Sequence, residues 1–154
     1  EIVGTLHDKL MHLGAELVNE TVALIKNDRV TTYKQPELEE KSASKLDSSN
    51  CKIDWTASLE VIYNQIRGLN PFPAAWTNIQ NNEEKISAKI YMIGKEVALH
   101  QHEVGKIIYT KKELKVAVEN GYIIIGEIKL AGKKKMDAKS LLNGYVFSEN
   151  AKMV

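Results

Sequence analysis

The chain has 154 residues, 44% of them hydrophobic, and a formal net charge of +1. That length suits one domain, or one domain with an appendage, and the apolar fraction is enough for a buried core. No apolar run approaches membrane-spanning length, the opening residues lack a signal-peptide pattern, and the single Cys51 excludes an intramolecular disulfide, which together predict a cytoplasmic location.

Thr5 is placed to open a helix, and Asp8 stands three residues on, where a capping box has Glu or Gln. Leu6, Leu10, Leu13, Leu17, Leu24 and Ile25 then fall on one face, and the pattern ends near Asn27-Asp28. Burying each of these side chains would contribute about 1.5–3 kcal/mol, so the face needs a cover. The next thirty residues hold no strong strand. The helix is therefore expected to belong to a domain whose sheet lies upstream, and to pack outside the downstream domain or against a second copy.

Residues 30–52 read as a linker between that helix (1–29) and a C-terminal domain (53–154). Val30–Tyr33 is extended in pattern, and the run from Lys34 to Asn50 is polar, with Pro36 and scattered serines. Order returns at Ile53-Asp54-Trp55. Thr56 is the expected cap of a helix that carries Leu59, Ile62, Ile66 and Leu69 on one face, with Gly68 near its end. Asn70-Pro71-Phe72-Pro73 then forms a stiff corner, because two prolines fix φ and remove two donors.

Strand patterns follow. Residues 75–79 and 85–92 make a hairpin across Gln80–Glu84, and 105–109 is a third strand. Residues 114–118 and 122–125 flank Asn120-Gly121, a hairpin turn signal, and 128–130 extends the set. The predicted fold is mainly β with flanking helices: a small closed barrel of five to six strands, of the OB-like kind, preceded by the linker and the orphan helix.

The last basic turn is Gly132-Lys133-Lys134-Lys135-Met136, followed by a short helix that Asp137 can cap, Leu141 and Leu142 can anchor and Gly144 can end. Three adjacent ammonium groups need solvent or an anion. Either a solvated loop or a phosphate site satisfies them. The charge distribution favours the second. Residues 1–104 carry 11 Lys and Arg against 15 Asp and Glu, whereas residues 105–154 carry 10 against 5. A basic C-terminal third points to a polyanion.

Other chemistry is sparse. His100 and His102 lie on one face of any strand but lack a third ligand, so no metal site is expected. His7 and His12 miss the i, i+4 spacing. Cys51 reads as an ordinary thiol and Asp54 as a capping or boundary residue. No phosphate-binding glycine loop or zinc motif occurs.

Several segments in order carry a resemblance. Ile53-Asp54-Trp55, Ile66-Arg67-Gly68-Leu69-Asn70-Pro71-Phe72-Pro73-Ala74, Leu130–Met136 and Leu141–Gly144 resemble the C-terminal half of the methionyl-tRNA formyltransferase family. Gly4–Leu10 with Leu13-Gly14-Ala15 resembles the last helix of that family's Rossmann-like catalytic domain. The Gly-Lys-Lys-x-Met element favours this family over formyl-tetrahydrofolate hydrolases and sugar formyltransferases. Phe72 departs from it, standing where tryptophan is frequent.

The resemblance implies a parent enzyme that moves a formyl group from 10-formyltetrahydrofolate to the amine of initiator methionyl-tRNA, in bacterial translation initiation. It implies no catalytic residue here, since those residues belong to the upstream domain. No cofactor, metal or membrane is expected to bind these residues. What it implies is tRNA binding, with basic side chains facing the RNA backbone. Lys133, Lys134 and Lys135 are the expected contacts, aided by Lys106, Lys111, Lys112 and Lys139. Arg67 either joins them or braces the corner at Asn70-Pro71. The other reading is a free-standing oligonucleotide-binding barrel whose N-terminal helix mediates self-association.

Overall fold

The computed structural model describes residues 1–37 and 42–154. The part of the expected linker at positions 38–41 lies outside the described residues.

Helix α1 spans Val3–Lys26, and Ile2 rather than Thr5 precedes its first turn. The Thr5 hydroxyl still closes that turn, accepting from the Ile2 amide and donating to the Ile2 carbonyl. None of the 24 residues is buried. Among the described residues, the hydrogen bonds that tie α1 to the domain are at its start. The Gly4 amide donates to Asn70 O at 3.0 Å, and a side chain at Gly4 would collide with Pro71. The leucine face lies outside both sheets and stays open.

Helix α2 spans Leu59–Leu69 and buries Leu59, Ile62, Ile66 and Leu69. Its cap is Ser58, whose Oγ accepts from Val61 N, and not Thr56. The Thr56 hydroxyl and amide instead donate to Asp54 Oδ1 (2.7 and 3.0 Å), which ties the turn ahead of the helix. These bonds, the hydroxyl first, hold the Asp54 carboxyl below its ordinary value.

The strands are β1 (Ala75–Asn81), β2 (Glu84–Ile90), β3 (Ile93–Val97), β4 (Ile107–Tyr109), β5 (Leu114–Val118), β6 (Gly121–Ile125), β7 (Glu127–Leu130), β8 (Met136–Asp137) and β9 (Lys152–Met153). Helix α3 spans Ala138–Gly144. The expected hairpins form. β1 and β2 turn tightly at Asn82, and β5 and β6 turn at Asn120, both residues at positive φ. β3 was not expected, nor were the two-residue strands β8 and β9.

The single closed barrel expected from the pattern is not what forms. The strands make two antiparallel sheets, ordered β8-β7-β2-β1-β9 and β3-β6-β5-β4. Single contacts, rather than strand ladders, join the two sheets where they meet. At one corner Gly126 N and Glu127 N both donate to Met92 O (2.7 and 3.1 Å). At the other, one bridge joins Lys106 to Lys152, and Met153 N donates to Gly105 O at 2.8 Å. Gly105 is required there: its φ is +82, and a Cβ would strike the Met153 carbonyl.

The core lies between the sheets and under α2. Ile62, Ile66, Ile79, Ile90, Leu114, Val116, Ile123 and Ile128 are all fully buried in it. Cys51, Ile53 and Trp55 join them, and Trp55 Nε1 donates to the buried Thr77 hydroxyl at 2.9 Å. No described helix is long and apolar enough to cross a membrane.

Candidate nucleic-acid interface

The lysine turn is built by its backbone. After β7, Lys133 N donates to Leu130 O at 3.0 Å, with Gly132 at φ +72. Such a turn needs positive φ at its third position, which glycine reaches without strain. Ala131 N donates to Ser87 O and fastens the turn to β2 (2.8 Å). On the far side Asp137 caps α3, accepting from Ser140 N (2.8 Å) and Ser140 Oγ (2.9 Å). Those two bonds, the amide first, hold its carboxyl below the ordinary value. The lysines are therefore presented from a fixed backbone.

Their side chains differ. Lys133 and Lys134 are exposed, and no described carboxylate lies in ion-pair range of either. Lys135 pairs with Glu127 at 2.8 Å and sits over the Tyr91 ring, 5.2 Å from its centroid. An aromatic thus stands beside the turn, which the sequence order hid.

Lys112 and Lys139 come together on the rim of one cavity of about 590 Å³, also lined by Thr110, Gly126 and Asp137. Lys111 is exposed in the same 110–113 turn, where Thr110 Oγ1 accepts from Lys112 N and Glu113 N (both 3.2 Å). Lys106 lies apart from them. It is half-buried, its ammonium donates to Glu149 O, and it shares a different cavity with Lys152. Arg67 is a brace: its Nε donates to Asn64 Oδ1 (2.8 Å) and its Nη1 to Glu1 O (3.2 Å), fastening the start of α1. Lys133 and Lys134 on the turn are the residues best placed to meet an anion, because Glu113 and Asp137 share the cavity with Lys112 and Lys139.

Basic residues that the sequence reading passed over stand on the outer face of the five-stranded sheet. Lys85 and Lys89 alternate with inward residues of β2, and Lys129 does so on β7. The alternation was readable, but the register that lines them up is not local.

His100 is a structural residue. His100 Nε2 is 2.9 Å from both Val118 O and Gly121 O, and its ring packs on Tyr122 with centroids 4.5 Å apart. Among the described residues no three His, Cys, Asp or Glu converge as metal ligands. Lys115 with Glu96 (2.6 Å) and Glu113 (3.2 Å) is an ion-pair network in which the hydrogen bond to Glu96 raises the lysine pKa.

Comparison with known proteins agrees with this arrangement. The family described as "Formyl transferase, C-terminal domain" matches residues 45–146. Curated proteins named methionyl-tRNA formyltransferase are similar over nearly the whole chain. The one from Flavobacterium psychrophilum is 47% identical over 98% of this chain and 48% of its own length. The Flavobacterium johnsoniae protein is 46% identical over 99% and 49%, and that of Bacillus licheniformis 40% over 92% and 44%. The chain spans about half the length of the curated relatives it matches. With a family match over residues 45–146, the chain belongs to the formyl transferase C-terminal domain family.

Proposed function

We propose that this chain is the tRNA-holding part of a methionyl-tRNA formyltransferase. The observation that carries the proposal is the lysine turn, which presents Lys133 and Lys134 from a backbone fixed on both sides with no described carboxylate in ion-pair range. Phosphate contacts of this kind position a nucleic acid without reading its bases. Similarity to proteins of that name supports the choice of tRNA as the polyanion.

In the parent enzyme the formyl group comes from 10-formyltetrahydrofolate and goes to the amine of initiator methionyl-tRNA, in the cytoplasm. That reaction needs a base near the attacking amine and donors for the developing oxyanion. Both belong to the upstream catalytic domain, so these residues alone do not catalyse it. Residues 1–29 are the end of that domain, 30–52 the linker, and 53–154 the RNA-holding domain. The open leucine face of α1 supports this division, since a partner sheet would cover it. In isolated chains the same face promotes self-association.

The test is a titration of the purified chain with initiator tRNA at increasing salt. Affinity is expected to fall with a log–log slope of about −0.7 to −0.9 per phosphate neutralised. Incubation with formyl donor and methionyl-tRNA is expected to give no product above background. Salt-independent binding, or turnover by this chain, would overturn the reading.

A further inference from the structure

The outer face of the five-stranded sheet carries a row of charge that stability does not explain. Register places Trp76 of β1 opposite Lys89 of β2, and Lys89 opposite Lys129 of β7. On the other side of Trp76, a parallel bridge adds Lys52. The result is Lys52, Trp76, Lys89 and Lys129 abreast across four neighbouring segments, about 14 Å from end to end at ordinary strand spacing. A second row on the same face runs Lys152, Gln80, Lys85.

Two like charges directly opposite on neighbouring strands are destabilising. Lysine is often kept on edge strands, where it prevents sheets from joining. That explanation fails for Lys89, because β2 is flanked by β1 and β7 at that position, although Lys129 lies beyond the two residues of β7 that β8 pairs. None of the five lysines has a described carboxylate in ion-pair range. Lys89 is steadied by a bond to Pro73 O at 2.9 Å, which leaves its charge uncompensated. The acidic groups nearby are few. Asp47 lines the cavity beside Lys89, Asp54 feels the charge of Lys52, and Glu127 on this face is paired with Lys135.

The aromatic in the row is held in place. Trp76 Nε1 donates to Ser48 O at 2.7 Å, and Lys52 Nζ lies 5.8 Å from its ring centroid. The indole borders a cavity of about 450 Å³, together with Pro73, Ala74, Ser87 and Lys89. A fixed aromatic among uncompensated lysines is the combination that binds unpaired nucleotides: the ring stacks on a base while the ammonium groups take the flanking phosphates.

We infer that this sheet face is an RNA-binding surface for an unpaired stretch, with Trp76 as the stacking platform and Lys52, Lys89 and Lys129 as the phosphate contacts. The inference rests on the RNA-holding reading above and extends it from the lysine turn, which directly follows β7, across the sheet. The lysine repulsion is tolerated because bound RNA removes it.

The test uses the whole 154-residue chain with two probes, initiator tRNA and a short single-stranded oligouridylate. Tryptophan emission reports the contact, since Trp55 is buried and Trp76 is the tryptophan that a base can reach. Both probes are expected to quench it. Joint substitution Lys52→Gln, Lys89→Gln and Lys129→Gln is expected to flatten the salt slope for tRNA by about two units. Trp76→Leu should weaken oligouridylate binding about ten-fold or more, with thermal melting as the check on folding. Lys129→Gln alone should leave the free protein at least as stable as the wild type, because it relieves the opposed pair.

Unchanged affinity and slope in the triple lysine variant would overturn the inference. If that variant binds normally while a Lys133→Ala, Lys134→Ala variant fails, the sheet face is not the RNA surface and the turn alone is. If the unaltered chain binds no tRNA, this inference and the reading beneath it fall together.

Discussion

Helices α1 and α2 begin from the same kind of sequence and end in opposite situations. Both place large aliphatic residues at helical spacing. α2, with 11 residues, buries four of them between the sheets, whereas α1, with 24, buries none. Apolar periodicity says that a face needs cover; it does not say which element provides it. For α2 the cover comes from β3 and β6, which the chain brings beneath it from later in the sequence. For α1, tethered only by Gly4 and Arg67 at its start, the described residues offer none.

The contrast is open to three tests. The largest effect is expected at α2: Ile66→Ala removes a fully buried side chain and should cost about 2–5 kcal/mol by urea unfolding. A loss well under 1 kcal/mol would mean that α2 is no better seated than α1. A smaller effect is expected on the solvent face of the sheet under α2. Lys115→Met leaves Glu96 and Glu113 without their shared cation and should cost about 0.5–1 kcal/mol, discounted because both carboxylates are substantially exposed. The lysine pKa is raised, so this contribution is complete below the ordinary lysine value of ~10.4 and disappears as pH climbs through the folded value. A difference between the two proteins that vanished instead on acidification to pH 7 would contradict that assignment. The smallest effect is expected at α1: Leu17→Ala, at a position 64% exposed, should change stability by no more than ~0.5 kcal/mol in dilute solution. A larger loss that grew with protein concentration would show the face covered by a second copy.

Sequence pattern reached the elements whose signals are local. Asn120-Gly121 marked the turn between β5 and β6, alternation marked β5, and Asp137 marked the cap of α3. It missed β3, where Gly94 and the mixed burial of Ile93–Val97 break the alternation. β8 and β9 have two residues each, too few for any period, and without them the two-sheet arrangement read as one closed barrel. Thr56 was a reasonable cap by residue type, but Asp54 engages its hydroxyl and Ser58 takes the role.

The site divides in the same way. The lysine turn was legible because its residues are consecutive. The pairing of Lys135 with Glu127 and the approach of Tyr91 were not, because strand register creates them. Register likewise assembles Lys52, Trp76, Lys89 and Lys129 from segments spread over residues 52–129.

The central claim is that a fixed lysine turn holds RNA by its phosphates, and one measurement addresses it most directly. Initiator tRNA is titrated against the unaltered chain and against the Lys133→Ala, Lys134→Ala double variant, over a range of salt. Lys135 is excluded because Glu127 already pairs with it. The double variant should fold normally, bind more weakly and show a log–log salt slope flatter by about 1.4–1.8, as two lost phosphate contacts require. An unchanged affinity and slope would make the turn a solvated loop and contradict the account.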